Sequence, residues 1–154
     1  MGAERALILI DTNVFVIDLR YKQDTHYKTN RKFLDVIREA GNGFTTVINL
    51  LEVCGILSFN LNDRQIQELW FYFEQRYKVT VVPDTLLNGA LPSLRVREVF
   101  EWIEKKLSFG DAYIIASALK LLPNLSMMIT WDKAHFEGKF LGTLFTPAEY
   151  LQSI

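Results

Sequence analysis

Four carboxylates stand at places where an alternating strand–helix chain would bring them together. Asp11 follows the apolar run ALILI, residues 6–10, and Asp132 follows SMMIT, residues 126–130. Glu52 lies six residues after Thr46, the end of a short β-branched run, and Asp111 opens the helical stretch DAYIIASALKLL. Four acids with no histidine or lysine in the set suit hard divalent cations, Mg²⁺ or Mn²⁺, bound through oxygen. Zinc is disfavoured, since His26, His135 and Cys54 are the only residues of its preferred types. No Ser/His or Cys/His pair offers a covalent nucleophile.

Each acid also has a plainer reading. Asp11 and Asp132 suit Asx-turns after strands, and Asp111 suits the first turn of a helix, where the dipole favours negative charge. Glu52 is harder to dismiss. Its neighbours Ile48, Leu50, Leu51, Val53, Cys54, Ile56 and Leu57 are apolar nearly all round, which predicts a buried helix. A lone carboxylate buried there costs several kcal/mol unless it is paired or bound to metal.

The elements that position these acids follow from hydrophobic period. Short apolar runs at 6–10, 44–47, 79–82, 126–130 and 143–145 read as strands. A short helix follows Asn13, and residues 20–30 read as a polar loop. Helices are expected over 31–40 (stopped by Gly41), 48–58, 62–77, 92–107 and 111–122. Thr146–Pro147 starts a last short one. Strands alternating with helices predict an α/β fold, a mostly parallel sheet of about five strands flanked by helices. Ligands in such sheets gather at the carboxyl ends of the strands, where the acids lie.

Composition sets the outer bounds. The 154 residues are 49% hydrophobic and carry 17 Lys+Arg against 18 Asp+Glu, a net charge of −1. This excludes a disordered chain and a strongly basic nucleic-acid binder. One cysteine allows no internal disulfide. The N-terminal residues are too poor in apolar side chains for a signal-peptide core, and no run approaches the ~20 a membrane helix needs. The expectation is one cytoplasmic domain over residues 1–154 that does not enter a membrane. Setting the four acids aside leaves 14 acids against 17 bases, a mildly basic body around an acidic pocket.

Four segments, in order along the whole chain, resemble the motifs of PIN-domain nucleases: LILIDTNVF, TTVINLLEVCG, SFGDAYIIASAL and ITWDKAHF. The resemblance implies an α/β/α sandwich and an acidic metal site at Asp11, Glu52, Asp111 and Asp132, with Asn13, Thr46 and Thr130 supporting it. Asn49 stands where threonine is frequent, and Gly55 lies one residue closer to Glu52 than in many relatives. No further acid occurs between Asp111 and Lys120, but the four-acid set is intact.

Small members of this family include VapC-type toxins. The resemblance implies an Mg²⁺- or Mn²⁺-dependent endoribonuclease with one or two ions, a homodimer, and an antitoxin segment near the site. Substrate phosphates would need cations, for which Arg20, Lys22 and Lys133 are candidates; Lys28, Arg31 and Lys32 belong to the same basic segment as the first two. Phe71 and Tyr72 either fill the far side of the core or form a docking patch. His26 reads as exposed, and His135 as a surface or substrate contact.

Two rivals remain. One is a PIN-like RNA-binding or scaffold module without catalysis. The other is a haloacid-dehalogenase type phosphotransferase, which needs an aspartate where Asn13 stands.

Overall fold

A computed structural model describes residues 6–154; the N-terminal segment read above for a signal core lies, in residues 1–5, outside the described residues. The order is β1 (Ile8–Ile10), α1 (Thr12–Arg20), α2 (Tyr27–Ala40), β2 (Gly43–Thr46), α3 (Val47–Leu57), α4 (Asp63–Tyr77) and β3 (Thr80–Val82). There follow α5 (Val96–Glu104), α6 (Phe109–Leu121), β4 (Met127–Ile129), α7 (Lys133–Phe136), β5 (Thr143–Phe145) and α8 (Pro147–Ser153). The five strands are all parallel, in the order β3-β2-β1-β4-β5.

Successive strand side chains point to opposite faces, and β1 divides accordingly. Ile8 and Ile10 enter a core with Phe15, Phe33, Ile37, Leu50, Phe73 and Tyr77. Leu9 enters a second core with Ile114, Ile115, Ala118, Met128 and Phe136. Both faces are therefore covered, as an all-parallel sheet requires, and the result is the expected α/β/α sandwich.

Strand order reverses beside β1. The chain builds outward through β2 and β3, then returns to lay β4 on the other side of β1. Such a reversal opens a crevice at the carboxyl ends of the two strands. Asp11 follows β1 directly and Asp132 lies three residues after β4, so both stand at this crevice.

Local chemistry explains most boundaries. Asn62 caps α4 through a reciprocal capping box with Gln65, and Thr146 caps α8 in the same way with Glu149. Gly41 ends α2 with φ +69°, a left-handed turn open to glycine at little cost.

Several expectations need correction. The polar segment does not stay a loop to residue 30, because α2 begins at Tyr27, where Asn30 is buried and its amide bonds to the Val14 carbonyl. Residues 92–95 are not helical and α5 begins at Val96. Its apolar stripe is only partly covered: Val96 is 86% and Phe100 54% exposed, while Val99 packs against the second core. Nor is α3 buried all round, since Leu51 and Ile56 are exposed. Phe71 and Tyr72 do not fill the core, being 62% and 60% exposed. The short α7 was not expected from the sequence.

Candidate active site

Asp11 is the N-cap of α1, and only 5% of it is exposed. Its Oδ1 accepts from the Thr12 amide at 2.8 Å and from Asn49 Nδ2 at 3.4 Å. Its Oδ2 accepts from the Thr130 hydroxyl at 2.8 Å and from Asn13 Nδ2 at 3.4 Å. All four donors are neutral. Burial pushes the Asp11 carboxyl up to about 7 against these hydrogen bonds, and the nearby charges of Asp111 and Glu52 push the same way.

The other acids arrive from separate elements. Glu52, midway along α3, is half-buried and accepts from the Thr12 hydroxyl through Oε1 at 2.7 Å. Its carboxyl is raised by burial first, with Asp111 adding repulsion. Asp111 sits in the first turn of α6, whose N-cap Ser108 accepts from the Asp111 amide at 3.3 Å. It too is raised by burial, and further by Asp132, while Ser108, His135 and Lys139 oppose the shift. Asp132 is exposed at the head of α7.

The polar residues expected to support the site weave it together. Asn13 Nδ2 reaches Thr130 Oγ1 at 3.0 Å and Asp132 Oδ2 at 3.3 Å. Its Oδ1 accepts from the Trp131 amide at 3.1 Å. Thr130 Oγ1 also accepts from the Asp132 amide at 3.0 Å. The ends of β1 and β4 are thus tied by side chains beyond their last ladder pair. Thr46 caps α3 and donates to Asn49 Oδ1 at 2.7 Å. That bond turns Asn49 Nδ2 toward Thr12 Oγ1, 3.0 Å away, and toward Asp11.

Three contributors were not singled out from sequence as site residues. Thr12 joins Asn49 to Glu52. Asn49, noted only as a departure from the usual threonine, is fully buried and organises the second strand's end. Gly110 lies so close to Glu52 that a Cβ there would stand 3.2 Å from Glu52 Oε2. The first two carried a usable signal, a threonine directly after the acid and a polar residue inside an apolar helix.

Of the cations expected to contact phosphate, two lie away from the acids and the third, Lys133 beside Asp132, is already paired. Arg20 ends α1, at the opposite end of that helix from Asp11, and its guanidinium lies over Tyr21. Lys22 lines a surface cleft with Asp18, Glu68, Tyr72 and Arg76. Lys133 is paired with Glu149 at 3.0 Å. Arg31, in the same basic segment, is bound by the buried Asp18 at 2.8 Å and by Asp35 at 2.7 Å. His26 is exposed and stacks on Trp131, ring centroids 4.0 Å apart.

Among the described residues, no three carboxylate, histidine or cysteine groups close on one point as a ready ligand set. Glu52 and Asp11 are drawn instead onto hydroxyl and amide donors. The donor chemistry still fits a hard cation. All four acids offer oxygen donors, they act on one another electrostatically, and Mg²⁺ binds through one or two carboxylates while keeping several waters. A buried carboxylate raised by burial and like charge is the environment a divalent cation relieves.

A family model described as PIN domain matches residues 8–134. The chain is similar to the crystal structure of FitAcB from Neisseria gonorrhoeae, at 22% identity and a TM-score of 0.59, over 91% of this chain and 97% of that one. It is similar also to FitAB bound to an IR36 DNA fragment, at 19% identity and a TM-score of 0.59, over 92% of this chain and 95% of that one. At these identities the likeness is one of fold. No curated protein matches the sequence at a significant level.

Proposed function

The chain belongs to the PIN-domain family, whose members are generally nucleases, and on that premise we propose that it is a metal-dependent endoribonuclease acting as the toxin of a toxin–antitoxin pair. The observation that carries this reading is the Asp11 carboxylate. It is buried at the reversal of strand order, held only by neutral donors, and within electrostatic reach of Asp111 and Glu52. A purely structural aspartate would gain nothing from two more acids beside it.

In this reading Asp11, Glu52, Asp111 and Asp132 hold one or two Mg²⁺ or Mn²⁺ ions. The metal, when bound, supplies a Lewis acid that lowers the pKa of water and offsets charge on the phosphate. The chain's own residues supply the rest. Asp11 is the deep anchor, its orientation fixed through both oxygens. Asp132 is the exposed acid at the mouth, tied to the anchor by Asn13. Thr12 occupies Glu52 Oε1, which leaves Oε2 to accept a proton from the attacking water. Burial raises its pKa, which makes it a stronger base. Asn13, Thr46 and Thr130 position the acids.

The toxin assignment rests on the resemblance to VapC-type toxins. It brings with it a cytoplasmic location, a single domain over residues 1–154, a homodimer and an antitoxin partner. Among the described residues no helix is long and apolar enough to cross a membrane. Exposed Phe71 and Tyr72, and Val96 and Phe100 of α5, are apolar surfaces on which a second copy or an antitoxin segment would dock.

The test is cleavage of single-stranded and structured RNA with and without Mg²⁺ or Mn²⁺. Metal-dependent cleavage by the wild type, lost in Asp11→Asn, is the expected result. RNA binding without cleavage under every metal condition would replace the nuclease with a binding module. A small DNA-binding protein in the adjacent reading frame is the expected genetic context.

A further inference from the structure

Beside the acids lies a cavity of about 340 Å³ lined by Lys106, Leu107, Ser108, Asp111, Ala134, His135 and Lys139. It opens between the N-terminal turn of α6 and the turn of α7 and shares Asp111 with the candidate site. Its chemistry is unlike that of the acid cluster, because three of its lining residues are basic types.

Lys139 is the fixed member. Its ammonium donates to the carbonyl oxygens of His135, at 2.8 Å, and Lys106, at 3.3 Å. Among the described residues it makes no ion pair. An ammonium has three donors, so one remains for a ligand, and the charge is held in place by carbonyl oxygens rather than by a direct ion pair. Lys106, whose carbonyl takes one of those bonds, is exposed, and Lys139 and His135 are both near enough to act on Asp111. Ser108 accepts from the Asp111 amide, which leaves its hydroxyl hydrogen available to donate.

Resting on the nuclease reading, we propose that this cavity is an anion subsite that seats the phosphate next to the scissile one in a bound RNA strand. Lys139 supplies the positioned charge, Lys106 and His135 flank it, and Ser108 donates to a non-bridging oxygen. The arrangement answers an electrostatic problem. Four acids repel a polyanion, and the cations first expected to counter them, Arg20, Lys22 and Lys133, point elsewhere or are paired. The pocket sits against Asp111, so a strand entering it lies across the metal-holding groups.

The test uses a fluorescently labelled single-stranded RNA and the intact protein with Mn²⁺. Lys139→Met removes the fixed charge, and Lys106→Gly removes the second. The glycine variant is expected to fold at least as well as wild type, because Lys106 holds φ +72°, which glycine adopts without strain. Both variants should raise KM several-fold with kcat little changed. Each should also flatten the dependence of log(kcat/KM) on log salt by about 0.7, one phosphate contact on a single strand. If Lys139→Met does not fold, Lys106→Gly decides. Wild-type KM and salt slope in the folded variants would overturn the subsite while metal-dependent cleavage stands. A wild type that neither binds nor cleaves RNA overturns both.

Discussion

Thr12 and Glu52 are 40 positions apart and joined by a 2.7 Å hydrogen bond from the Thr12 hydroxyl to Glu52 Oε1. The bond opposes the rise that burial imposes on the Glu52 carboxyl. Thr12→Val keeps the side-chain shape and removes the donor. The variant should lose about 1 kcal/mol of stability. Its alkaline-rising limb of activity should move to higher pH, since Glu52 then ionises later. A pH–rate profile that matches wild type would separate Thr12 from the chemistry.

Metal-free stability should fall as pH rises. The folded Asp11 carboxyl, at about 7, lies above its ordinary value of 3.8. The stability its protonated form confers is complete below the ordinary value and is lost as pH rises through about 7. The shift corresponds to about 4 kcal/mol at most, and Glu52 and Asp111 are displaced in the same direction. Urea unfolding in chelator at pH 5 and pH 8 measures the slope. Asp11→Asn should flatten it, and millimolar Mg²⁺ or Mn²⁺ should raise the melting temperature at pH 8 more than at pH 5. Asp132→Asn should shrink that metal-induced rise.

Gly110→Ala should separate stability from activity. Alanine in a helix is favoured over glycine by about 1 kcal/mol, but its methyl would press Glu52 Oε2 from 3.2 Å. The variant is expected to melt no lower than wild type and to cleave more slowly. Thermal denaturation and initial rates on one preparation test it. Full activity would mean that the Glu52 position is slack.

Phe71 projects from α4 with 62% of its surface in solvent. If a homodimer uses this face, Phe71→Glu should halve the mass measured in solution without lowering the melting temperature of the monomer. A dimer that survives the change assigns the interface elsewhere, with Phe100 on α5 the next position to reverse.

The sheet and the four acids were legible because both are written as interruptions. A buried parallel strand is a short apolar run, and Asp11 and Asp132 mark where two such runs stop. The alternation of Ile8, Leu9 and Ile10 between two cores follows from pleat alone. What escaped depends on partners remote in sequence. Asn49 looks like an ordinary polar residue until Thr46 turns its amide toward Asp11. Arg31 counts as a free cation until Asp18 is seen beside it.

Periodicity also has a blind side. It finds the apolar stripe of α5 but cannot say how much of it another layer covers: Val99 packs against the second core, while Val96 and Phe100 stay exposed. It misses α7 because four residues complete barely one turn. It starts α2 late because Tyr27–Asn30 has a polar first turn whose burial comes from Asn30 bonding to Val14 and Trp131.

The side-chain tie across β1 and β4 has a consequence for translation. Asp11 emerges from the ribosome early, but Thr130, which holds its Oδ2, and Asp132 come 119 and 121 residues later. A nascent or prematurely ended chain that stops before Met127 has at most three of the acids and no β4 to set against β1. Such fragments lack the crevice itself, so the acids can meet there only after β4 has been made.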